Sequence, residues 1–461
     1  MLRSCERSIR QSYHEVIFLT AAELHYEKMT KTPVSQLILK LGMPTTVSML
    51  ITSIYNMADT YFVGTLGESQ QAATGILFAL QAVIQGLAFM LGHGSGSFVA
   101  KSLADRDAKA ASTYVSTAFF TGGAVGFVLM ALGLSLLTPL MYLLGSTDTI
   151  LPYAKDYGMW VLLSCPFMIC SLILNNNLRY EGKAFYAMFG LTTGGILNIF
   201  GDYYLVSVCS LGVYGAGLST AVSQFISCLL LLILYFKKAQ STISPKYISK
   251  KFVTYLSICR VGLPSLIRQG LTAISGSLLN NLTKPFGDAA IDAMAVVNRY
   301  SNFVMCVGLG LGQGFQPVAA FNYEAKKVDR VKKGLIFTTI FGTVFVACLS
   351  IGSYIFAEDI IGMLQSNREV ILVGKTALRY AAIGLFFMPL SVPVNMLYQS
   401  IQKAGIASLL STMRSGALLI PILLIGVPIL GLTGVQIAQP LSDLLTGLIS
   451  VPFTVHFLRK K

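Results

Sequence analysis

The chain has 461 residues, of which 54% are hydrophobic and only 12% charged. That charge is about half the ~25% of a soluble domain, and with a mean hydropathy of +0.67 it excludes a soluble protein of this size, a disordered chain and a disulfide-built secreted scaffold. What remains is a polytopic membrane protein, so the net charge of +14 is read from where the basic residues fall, not as a signature of nucleic-acid binding.

Residues 1–28 are polar, with one apolar patch at Val16–Leu19 that is too short for a signal segment or a span. Met29 opens a cleaner start, so this stretch is either an over-extended start or a cytoplasmic extension. Apolar runs then follow near 34–63, 72–100, 111–138, 151–178, 186–209 and 213–236. Six more lie near 254–283, 289–321, 334–357, 370–399, 406–428 and 432–457. Each is long enough to cross a bilayer at roughly 20 residues per helix, and the longest predict tilted or bent helices.

Most of the 34 Lys and Arg residues lie in the N-terminal segment, the even-numbered inter-span connections and the tail. The opposite side holds only Lys155, Lys284, Arg368, Lys375 and Arg379. This asymmetry predicts a cytoplasmic-membrane protein with both termini in the cytoplasm. Every Cys except Cys5 falls in an apolar stretch and none forms a CxxC pair, so they read as small buried side chains. The four His residues have no metal-ligand spacing.

The two halves repeat. Leu41-Gly-Met-Pro44 matches Val261-Gly-Leu-Pro264, Gly67 matches Gly287, Gly92-His-Gly94 matches Gly312-Gln-Gly314, and Lys183-Ala184 matches Lys403-Ala404, all at one spacing of 220 residues. Six spans per repeat is an even number, so both copies insert the same way up. The expectation is an all-α membrane protein of twelve transmembrane helices in two six-helix lobes related by a parallel internal repeat. The lobes are 29–236 and 254–461, joined by a basic linker, 237–253.

Ionisable residues within spans are costly and functional by default. In the first half these are chiefly Asp59 and Asp202, with Glu181 at an interface. Asp59 lies about 33 Å along the first span at 1.5 Å per residue, in its outer half. Asn198 and Asp202 are one turn apart on the fifth span and share a face. Thr220 on the sixth span falls at similar depth, and Tyr55 lies one turn below Asp59. Two readings stand: a cation site of carboxylates ringed by neutral oxygens, or two aspartates capping their helices near the outer surface.

The run Asn56-Met-Ala-Asp59-Thr-Tyr-Phe-Val-Gly64-Thr-Leu-Gly67 resembles the helix 1 signature of the multidrug and toxic compound extrusion (MATE) family. Asn198-x3-Asp202 resembles its helix 5 motif, and Gly312-Gln-Gly-Phe-Gln-Pro317 the matching segment of its DinF-like bacterial branch. The resemblance spans about residues 34–457. It implies a secondary antiporter exporting organic, cationic compounds in exchange for H+ or Na+. It also implies a coupling site of Asp59, Asp202, Asn198, Thr220 and Tyr55, with a first-helix bend at Pro44. The Na+-coupled NorM-like branch carries an acid in helix 7, whereas this chain reads Pro264-Ser-Leu-Ile-Arg268-Gln269 there, which favours coupling through the first lobe.

Possible cavity-lining residues are Asn175, Asn176, Gln269, Asn280, Asn281, Arg299, Gln313 and Gln316. The arginines Arg268, Arg299 and Arg414 leave two readings. One is a cavity for polar or anionic groups, as in a flippase of lipid-linked oligosaccharides or another anionic amphiphile. The other is packing arginines paired with carbonyls or with Asp443. No phosphate-binding glycine loop and no nucleophile–base pair occurs, which argues against ATP drive and against an enzyme. The expected partners are small organic substrates, the coupling ion and the bilayer, with no cofactor, no metal beyond Na+, no nucleic acid, and a working monomer.

Overall fold

The computed structural model describes residues 23–365 and 367–459, and among these every regular element is a helix. The expectation for the start of the chain therefore lies largely outside the described residues, as do Cys5 and His14. Residues 23–31 form a short helix whose His25 and Met29 are buried.

Twelve long helices follow. The first six are α1 (Val34–Gly64), α2 (Glu68–Ala104), α3 (Ala108–Ser135), α4 (Leu151–Tyr180), α5 (Ala184–Val208) and α6 (Gly212–Lys238). The second six are α7 (Phe252–Thr283), α8 (Asp288–Glu324), α9 (Val328–Ile355), α10 (Arg368–Ser400), α11 (Ala404–Leu430) and α12 (Leu432–Arg459). Eleven are long and apolar enough to cross a membrane. The exception, α7, is long enough at 32 residues but is diluted by Arg260, Arg268, Gln269, Asn280 and Asn281. The outer faces carry large exposed apolar side chains such as Phe127, Phe200, Val344 and Ile425, as a lipid-facing surface requires.

The repeat extends to the backbone. Gly67 and Gly287, preceding α2 and α8, both have positive φ, as do Gly212 and Gly431. Arg106 and Lys326 take the left-handed conformation at equivalent turns, and so do Gly182 and Gln402. Packing repeats as well: α4 lies against α2, α3 and α6 as α10 lies against α8, α9 and α12, and α1 pairs with α5 as α7 pairs with α11. The Asn175 amide donates to the Ala187 carbonyl at 2.9 Å, and its counterpart Asn395 donates to the Ala407 carbonyl at 2.6 Å.

The lobes meet through α1 on α8 and α2 on α7. Glycine makes this possible. A Cβ at Gly94 would run into the Ile258 carbonyl, and one at Gly314 into the Gly42 backbone beside the Ile38 carbonyl. A Cβ at Gly262 would meet the Met90 carbonyl, and one at Gly310 the Thr46 side chain. These contacts lie in the half of the bundle that carries the described chain ends. There a single core containing Leu37, Ile38, Val99, Phe315, Phe321 and Tyr398 joins both lobes.

Toward the opposite end that core divides. Leu77, Tyr157 and Val161 belong to one core in the first lobe, and Leu279, Met294 and Val435 to another in the second. The seam extends as far as Cys306 against the Met49 carbonyl and Gln269 against Gln85. Beyond it, a Cβ at Gly75, Gly270 or Gly276 would meet nothing within 4 Å. Among the described residues the bundle is closed at the end bearing the described chain ends and splayed at the other, where the cores are separate.

Candidate functional site

Four helices of the first lobe bring a polar cluster together. Asp59 on α1 is 9% exposed and Asp202 on α5 is fully buried. Tyr157 of α4 donates its hydroxyl hydrogen to Asp59 Oδ2 at 2.7 Å, and its hydroxyl lies beside Thr220 of α6. The Asn198 amide donates to Asp202 Oδ1 at 3.3 Å, to Thr220 Oγ1 at 3.2 Å and to Ser219 Oγ at 3.3 Å. The Ser219 hydroxyl in turn donates to the Asn198 carbonyl at 3.0 Å. The cluster therefore consists of a Tyr157–Asp59 pair set beside an Asn198–Thr220–Asp202 group.

Three of its oxygens, Asp59 Oδ1, Asn198 Oδ1 and Asp202 Oδ2, are buried without a hydrogen-bond partner. Such an atom costs about 1–3 kcal/mol, and more when charged. Three in one cluster form an acceptor set suited to a proton or a hard cation. Among the described residues neither aspartate accepts a hydrogen bond from a helix-terminal N–H. A six-residue π-helical turn, Tyr203–Val208, begins directly after Asp202, a distortion that often accompanies functional positions.

Four of the five expected site residues thus share one cluster. Tyr55 is adjacent but separate: its ring packs on Gly195 and its hydroxyl lies toward Gln224. Pro44 sits inside α1, which runs unbroken through it, two residues beyond the Gly42 contact. Tyr157, Ser219 and Gln224 are additions to the sequence reading. Tyr157 was open to detection, since it lies one to two turns from the start of α4, at the depth that counting gives Asp59.

The expected cavity residues separate into two groups. Asn175, Asn176, Gln313 and Gln316 are buried and belong to closed packing rather than to an open surface. Around the seam, the Arg179 fork donates to Gln313, to Asn176 Oδ1 at 2.6 Å and to Gln316 Oε1 at 3.4 Å. Gln316 donates to Gln399, Gln399 to Ser265 at 2.9 Å, and Ser265 meets His93 Nδ1 at 2.7 Å. Arg179 reads from sequence as a connection residue, but it is 1% exposed because its side chain turns back into the seam. Asn280, Asn281 and Arg299 are exposed, and Gln269 faces Gln85 of the other lobe.

Glu181, expected at an interface, is also fully buried. It accepts from the Gln240 and Ser241 backbone N–H groups and from the Tyr235 hydroxyl, tying the end of α4 to the inter-lobe linker. Burial pushes its carboxyl up from the usual range, against those hydrogen bonds. In the second lobe Arg414 Nε donates to Asp443 Oδ1 at 2.8 Å, the pairing that the packing alternative anticipates.

A family model described as MatE matches residues 44–204 and 263–425, one stretch in each lobe. The multidrug export protein MepA of Staphylococcus aureus (strain MSSA476) is 26% identical over 444 residues, covering 95% of this chain and 97% of that protein. A solved structure of MATE in complex with MaL6 superposes with a TM-score of 0.89 at 21% identity, over 94% of this chain and 98% of that one. Another, the outward-facing conformation of a multidrug resistance MATE family transporter of the MOP superfamily, gives a TM-score of 0.88 at 21% identity, over 94% and 97%. The matched segments carry both copies of the repeat and the Asp59 and Asp202 positions, and the chain belongs to the MatE family.

Proposed function

We propose that the chain is a secondary antiporter that exports organic, cationic compounds across the cytoplasmic membrane in exchange for H+ or Na+. The observation that carries this reading is the cluster of Asp59, Asn198 and Asp202, with three buried acceptor oxygens lacking a donor, in the splayed half of the bundle. The export role named for the staphylococcal relative supports it. With both termini cytoplasmic, as the distribution of Lys and Arg favours, the splayed end faces outward.

Entry of a proton or Na+ supplies the missing partner for those oxygens and removes the repulsion between two neighbouring carboxylates. The filled and empty clusters then favour different packings of α1 against α5 and α6. Pro44 provides a point at which α1 can bend, since it lacks the N–H that would hold the preceding turn. Ion and substrate need only favour different states for one to drive the other.

The test is efflux of a cationic dye from proteoliposomes with ΔpH and ΔNa+ imposed separately. Efflux driven by one gradient identifies the coupling ion. Equal efflux with no gradient would sink antiport. A lipid-linked oligosaccharide translocated by the same vesicles, with no dye efflux, would select the flippase alternative.

A further inference from the structure

The fold that gathers carboxylates in the first lobe gathers guanidinium groups in the second. Arg268 lies halfway along α7, and Arg414 lies in a π-helical turn of α11, Met413–Ala417. The two are close enough to repel. Asp443 matches the charge of Arg414, but the Arg268 guanidinium makes no hydrogen bond or ion pair among the described residues.

Both arginines line a cavity of about 30 Å³ together with Ser391, Asn395, Ser411 and Thr446. That is room for roughly two waters or one carboxylate group. The Thr446 hydroxyl is 1% exposed and has no hydrogen-bond partner. The equivalent positions of the first lobe are Ser48 and Gly194, so the charge belongs to the second copy alone. An unmatched guanidinium in the middle of a span is costly. Its planar fork is the side chain best suited to hold a carboxylate through two parallel hydrogen bonds.

We propose that this cavity binds the carboxylate of an exported compound, so that favoured substrates carry a carboxylate as well as a cationic amine. The proposal rests on the export reading above. A substrate of this class meets carboxylates in one lobe and a guanidinium in the other. Thr446 supplies a further donor to the bound anionic group, and Asp443, behind Arg414, leaves Arg268 as the free charge.

The test uses a rhodamine with a free carboxylate and the methyl ester of the same dye, whose xanthylium cation is identical. The purified chain is expected to bind the free acid about tenfold more tightly than the ester, the scale of a charge-assisted pair. Arg268→Gln should erase that preference and leave ester affinity within about twofold, while Arg268→Lys keeps part of it. Equal binding of acid and ester by the wild type, or a preference that survives Arg268→Gln, overturns the proposal. Should Arg268→Gln fail to fold, Thr446→Val decides: weaker binding of the acid alone supports the site, and unchanged binding overturns it. Export of the ester without acid preference defeats the site and spares the export reading. Acid preference with no gradient-driven efflux of either dye does the reverse, and binding of neither dye by the wild type overturns both.

Discussion

Tyr157 on α4 donates its hydroxyl hydrogen to Asp59 Oδ2 on α1 at 2.7 Å, which leaves Asp59 Oδ1 as the buried oxygen without a partner. The tyrosine therefore competes with any incoming ion for one carboxylate oxygen. Tyr157→Phe keeps the ring and removes the competitor. The variant should fold with a loss of about 1 kcal/mol and reach half-maximal efflux at about tenfold lower ion concentration. An ion titration of dye efflux in proteoliposomes checks it, and an unchanged half-saturating concentration would show that Tyr157 is only packing.

Asp59, held by Tyr157, and Asp202, held by Asn198, lie in one buried cluster, so they should act as one unit. Asp59→Asn and Asp202→Asn are each expected to abolish gradient-driven efflux while leaving a folded protein, since the amide is nearly isosteric. The double variant should be no worse than either single one, because groups acting together are non-additive. Efflux at the wild-type rate by either single variant would contradict this.

The architecture was legible because apolar runs, the distribution of basic residues and the repeat all depend on period and spacing, which a single sequence displays. Asp59, Asn198, Asp202 and Thr220 were legible for a related reason: helical rise converts residue number into depth. Side-chain direction was not. Arg179 sits where a connection begins, and nothing local indicates that its fork turns back to Gln313 and Gln316. Glu181 looked interfacial because its partners, Tyr235, Gln240 and Ser241, lie more than fifty residues further on. Tyr55 shares a face with Asp59 along α1, yet its hydroxyl lies toward Gln224 of α6 instead.

The seam glycines offer a test of the closed end. A Cβ at Gly262 would be driven into the Met90 carbonyl oxygen, a backbone atom that cannot rotate away. Gly262→Ala should force α2 and α7 apart and cost about 1–3 kcal/mol, as overpacking does. Gly276→Ala on the same helix meets nothing within 4 Å and serves as the control. Spin labels at Lys109 and Lys333, exposed residues in different lobes, should report a longer distance in Gly262→Ala and no change in Gly276→Ala. Identical distances in all three proteins would mean that the seam absorbs a methyl group.

Acid should loosen the short N-terminal helix from that closed end. His25 is 7% exposed and packs edge-on to Phe321 of α8 at 5.4 Å. Burial, with Lys183 and Lys28 adding like charge, lowers its pKa from 6.5 to about 3. The folded form therefore binds fewer protons than the unfolded form across that interval, and stability rises with pH there. The contribution is fully present above pH 6.5 and is lost progressively as the pH falls toward 3. Hydrogen exchange of residues 23–31 should accelerate between pH 6.5 and pH 4.5, after correction for the intrinsic pH dependence of exchange. His25→Phe, which keeps an apolar ring against Phe321 and cannot take a proton, should flatten that response. A pH response equally steep in the variant would assign it to another group, and that group is not Glu181. Its raised carboxyl pKa has the opposite sign, favouring the folded form at low pH and losing that contribution as the pH rises through the raised value.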